Sequence, residues 1–69
     1  MCQLNVVVER GKNRETVMES VTGLEVTAEG IVLTTFFEEP LTVSGVHVKS
    51  IDFLGGSVLL VADEQQKTV

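Results

Sequence analysis

The sequence predicts an all-β fold: a small antiparallel barrel or sheet of about six short strands built from successive hairpins. Valine, threonine and isoleucine recur in short runs, several of these runs alternate with polar residues, and glycines and other turn residues divide them. No apolar stripe keeps a 3.6-residue period long enough to make a helix. With 69 residues the chain has room for one core, so residues 1–69 read as a single small domain.

The first strand runs from about Cys2 to Glu9. It sets Cys2, Leu4, Val6 and Val8 on one face and Gln3, Asn5, Val7 and Glu9 on the other. Gly11, Lys12 and Asn13 supply a tight turn into a strand near Glu15 to Ser20, which pairs with the first as an antiparallel hairpin. A single helical turn over Glu15 to Val21, capped by Asn13, is the alternative. β-branched Thr16 and Val17 and the shortness of the segment weigh against it.

Beyond Gly23, Leu24 to Ala28 alternates with glutamate and threonine, and Glu29-Gly30 reverses the chain into Ile31 to Phe37, the most apolar run. Phe36 and Phe37 fall on opposite faces there, one expected in the core and the other exposed or covered by a partner. Pro40 lacks a ladder donor, so Glu38-Glu39-Pro40 reads as a rim loop before a short edge strand at Leu41 to Val43. Val46 to Phe53, a turn at Gly55-Gly56 and Val58 to Ala62 form the last hairpin, and residues 63–69 a polar, frayed tail.

Size and charge limit the function. A domain this short buries only about 60% of its unfolded surface, so core burial barely offsets chain entropy. Cys2 is the one cysteine, which excludes an intrachain disulfide and leaves a metal or a second subunit as the supplement. A homodimer is expected. No signal-peptide pattern and no membrane-length apolar run is present, so a cytoplasmic location is expected, where a free thiol persists. Ten acids against five bases, a net charge of −5, disfavour nucleic acid and favour a cationic partner such as a metal ion.

Catalytic constellations are nearly excluded: the chain has no tyrosine or tryptophan and one histidine, His47, 45 residues from Cys2. An enzyme is not expected. His47 alternates with Val46 and Val48 and points to solvent or to a subunit contact. Glu38, Glu39, Asp63 and Glu64 lack the spacing of a calcium loop and read as solvated charges. Gly55-Gly56 has neither the helix nor the lysine of a phosphate loop.

Cys2 is the candidate site because of its address. Its thiolate lies next to its own backbone nitrogen and to the Met1 amine, and nitrogen with sulfur suits nickel(II) or copper in a square plane. Tetrahedral zinc would ask for more cysteines or histidines. One chain offers too few donors, whereas two chains meeting at a two-fold axis would supply four. On spacing alone, a lone cysteine is more often an inert small hydrophobe.

The opening Met1-Cys2, the segment Val21-Thr22-Gly23-Leu24-Glu25-Val26 continuing through Gly30-Ile31-Val32-Leu33 to Phe36, then Gly45 through Phe53 and Val58-Leu59-Leu60, resemble the CooT family over nearly the whole chain. The resemblance implies a small β-rich dimer. It also implies an accessory role in which nickel(II) is bound for maturation of carbon monoxide dehydrogenase, the nickel cysteine directly following the initiator methionine as Cys2 does here. A metallochaperone with such a nickel-enzyme client is therefore the leading expectation. Members have also been labelled RNA-binding, and a small RNA-binding β-barrel is the alternative. It would need a basic face with exposed aromatics, and here only Arg10, Lys12 and Arg14 cluster.

Overall fold

The structure is a computed structural model and describes residues 3–63. They contain no helix, and so none long and apolar enough to cross a membrane. Six strands form one sheet: β1 (Leu4–Arg10), β2 (Asn13–Thr27), β3 (Gly30–Thr35), β4 (Leu41–Val43), β5 (Val46–Asp52) and β6 (Ser57–Ala62). Their order across the sheet is β4-β3-β2-β1-β6-β5.

β-branched side chains with period-2 alternation account for β1, where Val6 and Val8 are buried and Leu4 is half-buried, as the alternation requires. The pairs β1–β2, β2–β3, β3–β4 and β5–β6 are antiparallel, but β1 and β6 run parallel, from Asn5 opposite Ser57 to Glu9 opposite Val61. The fold is thus a chain of hairpins joined through one parallel pair. It does not close into a barrel, since β4 and β5 are the two outer strands and do not pair. Only Ser44 and Gly45 separate these edges in the chain, which forces the sheet to curl until they are neighbours. At the start of β3, Gly30 lets the end of β4 pass close by: a Cβ there would lie 2.4 Å from the Val43 carbonyl oxygen.

The segments expected as separate strands before and after Gly23 form one continuous strand. The first half of β2 pairs with β1, its second half with β3, and Val21 pairs with both Leu4 and Thr35. Ser20 marks the changeover with a left-handed φ of 57°. The helical alternative for Glu15 to Val21 is excluded, because the segment lies within β2 and pairs with β1. Along the inner face of the curl, ten buried hydrophobic residues form the core, with Val6, Leu33 and Leu60 fully enclosed.

The expectation for the phenylalanine pair is corrected. β3 ends at Thr35, whose side chain is the buried one, and Phe36 and Phe37 are 75% and 72% exposed. The Thr35 hydroxyl donates to the Ser20 carbonyl at 2.8 Å and accepts from the Phe37 amide at 3.5 Å. This anchor ends the ladder before either aromatic can enter the alternation.

Candidate metal centre

Cys2 and Met1 lie outside the described residues, as do Glu64 and the rest of the expected tail after Asp63. The end of the sheet to which β1 leads back is described. Leu4 pairs with Val21, and the Asn5 amide donates to the Gly56 carbonyl at 2.9 Å. Gln3 is exposed and backs onto Gly56, where a Cβ would sit 3.7 Å from its carbonyl oxygen and where φ is +73°. The left-handed backbone of this turn is what favours glycine, since a Cβ at that distance would make only an ordinary contact.

Beside this end is a small apolar hollow of about 160 Å³, floored by Leu4, Val21 and Val58 and walled by Thr22, Gly23 and Leu24. The tip of the β5–β6 turn carries Phe53 and Leu54, both exposed. Asp52 opposes Ser57, which opposes Asn5, and its carboxylate accepts from the Gly55 amide at 2.9 Å. That carboxylate is engaged in holding the turn. Among the described residues no group of three histidine, cysteine or acidic side chains could hold a metal ion.

His47 is exposed, as its alternation with Val46 and Val48 predicts. Its partner was not legible in the sequence: Nδ1 lies 2.5 Å from an Asp63 carboxylate oxygen, while the Asp63 amide donates to the Gly45 carbonyl at 2.7 Å. His47 opposes Val61, which opposes Glu9, so the imidazole is level with the far end of β1. Glu9 lies six residue steps along the chain from Gln3, roughly 20 Å of extended backbone. One chain therefore does not bring His47 to the end that leads to Cys2. Glu38 and Glu39 are exposed loop residues, as expected of solvated charges.

A protein-family model described as CO dehydrogenase accessory protein CooT matches residues 1–61. The chain belongs to the CooT family. Its fold is also that of a solved relative: a crystal structure described as CooT from Carboxydothermus hydrogenoformans superposes with a TM-score of 0.81 at 22% identity, covering 91% of this chain and all of that one. No curated protein matches significantly. Membership in CooT, a family of accessory proteins, agrees with the chain's poverty in catalytic side chains.

Proposed function

We propose that the protein binds nickel(II) at Cys2, one ion per homodimer, and serves as an accessory protein or metallochaperone for a nickel enzyme such as carbon monoxide dehydrogenase. The family match carries this reading, because it begins at residue 1 and so takes in the Met1-Cys2 pair. The donor chemistry agrees with it. Nitrogen beside sulfur suits nickel(II), and the ligands of this reading are the Cys2 thiolate with its own backbone nitrogen or the Met1 amine. A second chain then completes four-coordination.

The dimer is supported by the small core and by the apolar side chains left outside it. Phe36 and Phe53 are exposed, together with Leu54 and Ile51. Nickel here is cargo, and this chain's task is to hold it through the Cys2 thiolate. Absorbance titration of the untagged protein with nickel tests the reading. The expected result is a sulfur-to-nickel charge-transfer band saturating at one ion per two chains and missing from Cys2→Ser. Sedimentation equilibrium at micromolar concentration is expected to report twice the chain mass. A folded, stable monomer, or a Cys2→Ser protein with unchanged stoichiometry and spectrum, would overturn it.

A further inference from the structure

The first half of β2 has a ladder partner on one side only. Residues 13–21 pair with β1, and pairing with β3 begins at Val21. In the β1–β2 hairpin, two residues, Gly11 and Lys12, separate the closing pair Arg10 and Asn13. The closing pair of a two-residue hairpin is hydrogen-bonded, and such pairs alternate with non-bonded ones. The backbone N–H and C=O groups of Arg14 and Thr16 therefore face away from β1, toward the lane that β3 vacates after Thr35.

A groove of about 380 Å³ occupies that lane. Its wall includes every residue from Thr16 to Ser20, and on the other side Thr35, Phe37 and Glu38. Successive strand residues point to opposite faces, so a hollow touched by five in a row lies in the plane of the sheet, along the edge. Exposed Phe37 offers an apolar surface, while Glu19 and Glu38 bring carboxylates to both walls. Exposed Glu15 adds another from the same edge.

We propose that this edge, from Arg14 to Ser20 with Phe37 as its opposite wall, is a docking site for an extended, basic and apolar peptide segment of another protein, bound by strand addition. Main-chain hydrogen bonds to an open edge supply affinity, and pockets for alternate side chains supply selectivity. Lysine or arginine would meet Glu19 and Glu38, and an aliphatic residue would cover Phe37. A second copy is the poorer occupant. Pairing two of these edges antiparallel about Val17 sets Glu15 against Glu19, a like-charge opposition that destabilises a ladder. The proposal is independent of nickel binding at Cys2.

The test is an amide-resolved NMR titration of the whole wild-type protein with two blocked hexapeptides, one alternating lysine with valine and one alternating glutamate with valine. The expected result is binding of the basic peptide at least tenfold tighter. Shifts should be confined to residues 14–20 and 35–38, and hydrogen exchange at the Arg14 and Thr16 amides should slow. The paired exposed substitutions Glu19→Lys and Glu38→Lys should reverse the preference. Equal affinity for both peptides, shifts elsewhere, or no perturbation at millimolar peptide would overturn the proposal. So would perturbation of residues 14–20 that follows protein concentration without peptide, the mark of a second copy.

Discussion

The two ends of the β1–β6 pair differ in how their polar groups are used. At the His47 end charged side chains meet: His47 with Asp63, whose amide donates to Gly45, and Arg14 beside Glu9 at 3.6 Å, where the buried Glu9 Oε1 has no hydrogen-bond partner. At the Gln3 end the described surroundings are an apolar hollow, a glycine turn and the exposed side chains of Phe53 and Leu54. The lone imidazole, the most obvious metal ligand in the composition, thus sits at the end of the pair away from Gln3, against the Asp63 carboxylate. The lesson is that residue type nominates a ligand but strand register decides where it can act.

Nickel chemistry should break the symmetry of the two ends most sharply. Cys2→Ser is expected to remove the charge-transfer band entirely and His47→Ala to leave it unchanged, both read by absorbance titration. If His47→Ala alone abolished the band, the assignment of the ends would be reversed.

Next in size is the response to pH. Proton and nickel compete for the thiolate, so affinity should fall as pH drops below the ordinary thiol value of ~8.5. With two thiolates per ion the loss is at least about 100-fold per pH unit at pH well below the thiol value, and steeper where the coordinating nitrogens also shed protons, measurable as proton release by calorimetry. A slope near tenfold would mean one thiolate per ion and would contradict the shared site.

A matched pair of glycine substitutions separates stability from the site. Gly56 and Gly11 both have left-handed backbones, with φ of 73° and 61°, one at each end. Alanine at either position is expected to cost about 1–2 kcal/mol, read as a lower thermal midpoint. Only Gly56→Ala, which lies against Gln3, should also weaken nickel binding. Equal nickel affinity in both variants would detach the β5–β6 turn from the site.

The smallest effect is expected of the His47–Asp63 pair itself. Both side chains are substantially exposed, 61% and 44%. Removing the imidazole should change unfolding free energy by less than about 0.5 kcal/mol in urea. RNA binding is expected to be negligible at physiological salt in a filter assay, since the groove beneath exposed Phe37 carries Glu19 and Glu38 where an RNA face would carry cations.

Much of this architecture was legible before any coordinates, and the reason is locality. Side-chain alternation, turn glycines and the donor-poor Pro40 act over a few residues, so strand positions, the buried face of Val6 and Val8, the hairpin turns and an outward His47 followed from the sequence. Cys2 was nominated by its place beside the Met1 amine and by the family resemblance, and its surroundings lie outside the described residues. Tertiary structure alone decided the rest, because strand pairing is chosen among partners distant in the chain and no local pattern encodes it. It set β6 parallel to β1, drew two segments into one β2, and left the sheet open. It also ended β3 at the hydrogen bond from Thr35 to Ser20, which left Phe36 and Phe37 exposed and the edge of β2 unpaired.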